Sequence, residues 1–194
     1  MTHLTTRVAT FAAAAAVALV ATAGTAAAQR EARTERFRAL AVQPAGLGAP
    51  TTLQVELTIT RWSTDAEQDK LRTTLLEQPK NVLEVLSKMP EVGRIETPGN
   101  VGYALRYAQK TSTSGTDQIL LLTDRPVGFA EAVNSGRTLD YPITVIQLQM
   151  QPSGKGEGKI AVAARLVPNR MGKEIMIEDW NFTPVILQGV ERQK

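Results

Sequence analysis

The sequence predicts an α+β fold: a single, mostly antiparallel β-sheet of about seven or eight strands packed on an N-terminal helical hairpin. Three observations point there. Thr52–Trp62, TLQVELTITRW, alternates apolar and polar residues without a break, the period of a half-buried strand. From Thr64 to Met89 the period lengthens to that of a helix. Beyond Gly93 short alternating segments return, spaced too closely for strand-helix-strand units, which favours antiparallel neighbours. No period of 20–50 residues repeats.

The chain opens on MTHLTTRVATFAAAAAVALVATAGTAAAQR, the layout of a secretory leader. Arg7 ends a short polar start, an Ala-rich apolar run covers Val8–Ala23, and Ala26-Ala27-Ala28 suits signal peptidase. The run is shorter than the roughly 20 residues that cross a bilayer, which favours a cleaved leader, residues 1–28, over a retained anchor. No cysteine follows it, which excludes a diacylglycerol anchor, and no Arg-Arg pair precedes it, against twin-arginine export. The expected location is the periplasm or the medium, with no membrane span in the mature chain.

Residues 29–50 read as lead-in and linker. REARTERFR interleaves arginine with glutamate, a solvated arm in preference to a lipid-binding one, because the acids dilute the charge. Within this stretch Phe37–Val42 forms at most an edge strand, and QPAGLGAP is a Pro/Gly connector. Residues 51–194 form the single expected domain. Leu53, Val55, Leu57 and Ile59 mark the inner face of its first strand. Thr64-Asp65-Ala66-Glu67 is a capping box. A hairpin of helices over 65–78 and 79–89 follows, with Leu71, Leu75 and Leu76 on one inner face and Val82, Leu83, Leu86 and Met89 on the other. Pro79 stands at the second helix start.

The strands come next. Val101, Tyr103, Leu105 and Tyr107 share a face, TSTSG turns, and Ile119–Leu122 is an unbroken apolar run that implies a strand covered on both sides. Thr144, Ile146, Leu148 and Met150 share a face, and Ile160, Val162, Ala164 and Leu166 continue the pattern after SGKGEGK. EIMIEDW and VILQGV, opened by Pro184, complete the set. The order is similar to the helix-grip layout of lipid-binding folds, without that layout's long C-terminal helix.

Composition excludes much chemistry. The only histidine is His3, inside the leader, and there is no cysteine. The mature chain therefore has no Ser-His-Asp or Cys-His catalysis, no His- or Cys-based metal site and no thiol redox chemistry. Loss of Arg7 with the leader leaves 21 basic against 19 acidic residues, a net charge of +2. That gives no strong field for a polyanion, and aromatics at 5% leave few stacking platforms, so no nucleic-acid partner is expected.

The candidate site is the long connection between two strands, RPVGFAEAVNSGRTLDY, residues 125–141. Asp124 and Asp140 are potential paired carboxylates, Arg125 and Arg137 a potential anion clamp, and Tyr141 lies beside them. The competing reading is that each aspartate caps a turn and each X-Pro closes a strand. FAEAVN fits a helical turn. SGKGEGK lacks the spacing and the following helix of a phosphate loop and reads as a hairpin turn. Glu178 and Asp179 are adjacent in a strand and face opposite sides. Asp179 and Asn181 lack the spacing of a calcium loop. Trp62 and Trp180 read as buried anchors. No cofactor or metal is expected.

Gln54-Val55-Glu56, Thr60-Arg61-Trp62-Ser63, Thr123-Asp124-Arg125-Pro126 and Asp140-Tyr141-Pro142 carry a resemblance to a group of exported bacterial proteins known only as hypothetical. It spans most of the mature chain and implies export and one domain, with no activity to transfer. The expected function is a non-catalytic binding module for a small apolar or amphipathic ligand or an envelope partner. The alternatives are a carboxylate-based hydrolase or lyase using Asp124 and Asp140, and a structural module that pairs through a sheet edge.

Overall fold

The computed structural model describes residues 34–42, 52–99, 101–128, 143–162, 165–168, 175–179 and 184–193. In chain order the elements are β1 (Glu35–Val42), β2 (Thr52–Ile59), α1 (Asp65–Glu77), a 3-10 turn (Pro79–Asn81), α2 (Val82–Ser87), β3 (Gly93–Glu96), β4 (Tyr103–Thr113), β5 (Thr116–Thr123), β6 (Thr144–Met150), β7 (Lys155–Val162), β8 (Arg165–Pro168), β9 (Ile175–Asp179) and β10 (Val185–Gln193). Among the described residues eight strands close into a barrel in the order β1-β2-β3-β4-β5-β6-β7-β10, each neighbouring pair antiparallel. β8 and β9 form a separate two-stranded sheet.

The expected open sheet is thus a closed barrel, and the helices are an insertion between β2 and β3 rather than an N-terminal layer under the whole sheet. The stretch read as lead-in makes the difference. β1 pairs with β2 from Glu35↔Ile59 to Val42↔Thr52, and its other side pairs with β10 from Arg36↔Gln193 to Val42↔Ile186. Alternation within a strand reports which face is buried. It does not report how many neighbours the strand has, so the same periods serve a sheet and a barrel.

An eight-stranded barrel is just wide enough for side chains to fill. Here the filling includes Phe37, Leu57, Ile95, Leu105, Ile119, Leu121, Ile146, Leu148 and Leu187, all buried. β7 makes room for them with glycine. A Cβ on Gly158 would lie 2.7 Å from the Gln147 carbonyl oxygen and 2.7 Å from Leu148 Cδ2. The SGKGEGK stretch therefore turns only at Pro152–Gly154, and its remaining glycines belong to a stave of the barrel. β4 and β5 meet in a two-residue turn, Ser114 and Gly115, whose positive φ values of 52° and 83° match the right-handed twist of the flanking strands.

A second apolar layer covers one side of the barrel from outside. α1 and α2, with the residues after them, supply Leu71, Leu75, Val82, Leu86 and Met89; the wall supplies Tyr107, Leu120, Leu122, Val145 and Ala161; β8 and β9 supply Leu166 and Ile175. β5 is accordingly covered on both faces, as its unbroken apolar run implies. The capping box of α1 is present: the Glu67 N–H donates to Thr64 Oγ1 at 3.3 Å and the Thr64 N–H to Glu67 Oε2 at 2.8 Å. Such a cap contributes about 1 kcal/mol, while each buried leucine contributes about 1.5–3 kcal/mol. Packing of Leu71 and Leu75 therefore holds α1 in place, and the cap sets where it begins. No helix among the described residues is long and apolar enough to cross a membrane.

Three expectations change here. Leu76 is exposed, because Leu71 and Leu75 already occupy the inner face and the next position is rotated away from it. Tyr107 leaves the face of Tyr103 and Leu105: Leu105 pairs with Thr123 but Tyr107 with Leu122, so Arg106 is an extra residue that reverses the phase of β4. Val101 is exposed before the strand begins. Leu166 belongs to β8 in the outer layer, apart from Ile160 in the interior, and Ala164 lies outside the described residues.

One end of the barrel is closed by charge. Glu35, Lys110, Asp117 and Arg192 continue the inward phase of Phe37, Ala108, Ile119 and Val190. Lys110 Nζ lies 2.9 Å from Glu35 Oε1, and Arg192 bridges Glu35 at 3.4 Å and Asp117 at 3.0 Å. Lys110 also stands 4.9 Å over the half-buried Trp62 ring. Hydrogen bonding from Ser112, then Arg192 and the nearby charges, holds the Asp117 carboxyl below its ordinary range. Trp180, the other expected anchor, lies outside the described residues.

Two outcomes follow from this architecture. Gly158→Ala is expected to lower stability by about 1–3 kcal/mol in urea denaturation, the usual cost of overpacking. Asp117→Asn is expected to be less stable than wild type at neutral pH. A depressed folded-state pKa stabilises above the unfolded value, about 3.9, and is lost as pH falls through the folded value. The gap between the two proteins, measured by thermal melts from pH 7 to pH 2, should therefore close in acid.

Candidate functional site

Asp124 stands at the end of β5 with its side chain only 8% exposed. Arg106, the extra residue of β4, reaches it with Nε at 3.1 Å from Oδ2 and also donates from Nη1 to the Met89 carbonyl at 3.3 Å. Arg125 Nε lies 3.6 Å from Asp124 Oδ1 while its side chain remains 63% exposed. The carboxylate therefore ties the end of β5 to β4 and, through Arg106, to the segment after α2. This ion-paired tie between elements is neither the turn cap nor the catalytic carboxylate that the sequence suggests.

The start of the long connection is fixed by hydroxyls. The Thr123 hydroxyl donates to the Arg125 carbonyl, and the Thr144 hydroxyl donates to the same oxygen at 3.2 Å. The Val127 N–H donates to Thr144 Oγ1 at 3.1 Å, and the Gly128 N–H to the Tyr103 hydroxyl at 3.0 Å. Val127 is fully buried in the barrel interior. The segment thus begins as a plug in the barrel mouth. Arg137, Asp140, Tyr141 and the FAEAVN turn lie outside the described residues.

The outer wall carries a different feature. Below the bulge, Gln109 and Thr111 of β4 face outward beside Gln118 and Leu120 of β5 and Gln147 of β6. Ile175, Met176 and Ile177 of β9 stand opposite, and between them lies a groove of about 170 Å³. Among the described residues its lining is uncharged. The Tyr107 hydroxyl donates to Gln109 Oε1 at 2.6 Å, and the Ile175 N–H donates to the same oxygen at 3.3 Å. Burial pushes the Tyr107 hydroxyl well above its usual pKa, so it remains a donor. Two donors on one oxygen fix which way the Gln109 carboxamide points.

The glutamines were not singled out in the sequence. A strand such as QILLL, apolar on both faces yet flanked by glutamine, is a usable signal. The phase of Gln109 is not legible, because it depends on the bulge. Glu178 and Asp179 lie in β9, as expected. Among the described residues no three His, Cys, Asp or Glu side chains converge as a metal site.

The Arg106–Asp124 pair is open to a double-mutant cycle. Arg106→Met leaves a nearly buried carboxylate with only the exposed Arg125 beside it and is expected to cost about 1–3 kcal/mol in urea denaturation, less than for a fully buried pair because Arg106 meets some water. Adding Asp124→Asn should recover part of the loss. A carboxylate without a structural partnership would give additive effects.

Compared with protein-family models, with curated proteins and with solved structures, the chain matches none.

Proposed function

We propose that the mature chain is an exported, non-catalytic binding module of the periplasm or the medium, and that it binds through the groove between β9 and the outer wall of β4, β5 and β6. The observation that carries this reading is the convergence of the Gln109, Gln118 and Gln147 carboxamides with Leu120, Ile175 and Ile177 around one concave space. Its lining exposes slightly more polar than apolar surface, where small-molecule pockets are mostly apolar, which suits the polar portion of an amphipathic ligand. At about 170 Å³ the groove is smaller than the ~300–1,000 Å³ that encloses a whole drug-sized molecule, so it suits a part of a larger ligand.

The leader supports export. The absence of histidine and cysteine after residue 28 supports a non-catalytic role. The engagement of Asp124 by Arg106 weighs against a hydrolase or lyase built on Asp124 and Asp140. Pairing through a barrel edge is disfavoured because closure removes the edges.

The test is native mass spectrometry of the full-length product recovered from the envelope fraction of its own host. The expected mass begins at Gln29 and carries a bound species. Gln118 is exposed at the groove, so Gln118→Trp should fill it without disturbing either core and should abolish the bound mass at unchanged melting temperature. A bound species retained by Gln118→Trp, or none in the wild type, contradicts the reading.

A further inference from the structure

We propose that a second copy of this chain pairs antiparallel with the last residues of β4, so that two barrels join through their β4 strands about a two-fold axis at Thr111.

Closure weighs against edge pairing wherever a stave has two neighbours, but β4 outruns β3. β3 pairs with β4 only from Tyr103 to Leu105. The chain leaving β2 then takes over: the Ser63 N–H donates to the Ala108 carbonyl at 2.9 Å, and the Ala108 N–H donates to Ser63 Oγ at 3.0 Å. Ala108 therefore turns its main-chain groups away from β5. Successive residues of an antiparallel strand alternate in this respect. Thr111 and Thr113 accordingly turn toward their β5 partners Gln118 and Thr116, while Lys110 and Ser112 turn away. Among the described residues nothing meets the N–H and C=O groups of Lys110 and Ser112. Water does reach them. Ser112 is exposed, and Lys110 is an exposed residue although its side chain is only 30% exposed, so its exposure lies along the main chain.

Unpaired main-chain groups in one line are a template for another strand. The same strand reversed fits them. In a pair centred on Thr111, Lys110 of each copy lies opposite Ser112 of the partner subunit, and the two residues exchange both of their hydrogen bonds. Thr111 then faces Thr111 of the partner subunit, a favourable cross-strand pair. The charges agree with this register. Each Lys110 comes beside Ser112 of the partner subunit, the residue whose hydroxyl donates to Asp117 at 2.6 Å. No like charges stand directly opposite, and the two lysines, diagonal to each other, are each held by Glu35 of their own chain at 2.9 Å. So short an edge buries less than the ~1,200–2,000 Å² of a stable complex, so the pair is weak and forms as concentration rises.

Cysteine cross-linking of the full mature chain tests the register, because the chain has no cysteine of its own. In Thr111→Cys the paired positions stand about 4.5 Å apart at Cα, within disulfide reach. In Thr113→Cys they are offset by roughly 14 Å along the strand, out of reach. Under mild oxidation Thr111→Cys is expected to form covalent dimer at least ~10-fold faster than Thr113→Cys. Adding Ser112→Pro removes an outward N–H without touching a bond to β5 and should abolish that difference. Adding Ser112→Ala, which loses the same hydroxyl but keeps the N–H, should retain it, and thermal melts of both establish that each still folds. Sedimentation equilibrium of the wild type should show dimer appearing with concentration. Equal cross-linking at the two positions, a difference that survives Ser112→Pro, or a wild type that stays monomeric to millimolar concentration overturns the proposal.

Discussion

One extra residue in β4 orders the molecule around it. Strand side chains alternate with a period of two, so the insertion of Arg106 opposite Thr123 reverses every position after it. Before the bulge Tyr103 and Leu105 fill the barrel; after it Ala108 and Lys110 take the inward phase, and Tyr107 and Gln109 turn outward. A continuous alternation would force Tyr107 and Gln109 into an interior already filled by Leu121, Ile146 and Leu148. Instead Tyr107 becomes the wall on which the outer layer packs, with its hydroxyl satisfied by Gln109. Arg106 itself ties Asp124 to the carbonyl of Met89. The bulge therefore joins the barrel, the outer layer and the start of the long connection.

The two apolar layers divide the work. The interior is a packed core whose mouth is plugged by Val127 at one end and whose other end carries alternating charges from Glu35, Lys110, Asp117 and Arg192. An eight-stranded barrel filled in this way holds side chains where a small ligand would otherwise sit. The outer layer covers β4 to β7 and ends where β9 stands off the wall, and that boundary is the groove. Because the carboxamides there project from three adjacent strands, their spacing is fixed by the barrel and not by loops.

Local rules made much of this legible. Thr64 and Glu67 specify the start of α1 through the reciprocal bonds expected of them, and Leu53 to Ile59 lie in phase on β2. The apolar run of β5 announced two covered faces, and Thr144, Ile146, Leu148 and Met150 share the inner side of β6. What escaped is non-local. β1 is indistinguishable from an edge strand until β10 is found on its far side. β3 has only four residues, too few to establish a period. The bulge at Arg106 carries no glycine or proline to betray it, and the glutamine row depends on that bulge. Of the candidate site, Asp124 was found at the expected strand end, but its partner Arg106 is distant in sequence.

The most direct measurement is a nuclear Overhauser spectrum of the methyl-labelled mature chain. Cross-peaks from the Tyr107 ring to the methyls of Leu122 and Val145, both in the outer layer, are the expected result of a reversed β4. Cross-peaks from that ring to Leu121 or Ile146 in the interior would contradict the bulge, and with it the outward carboxamide row on which the groove depends.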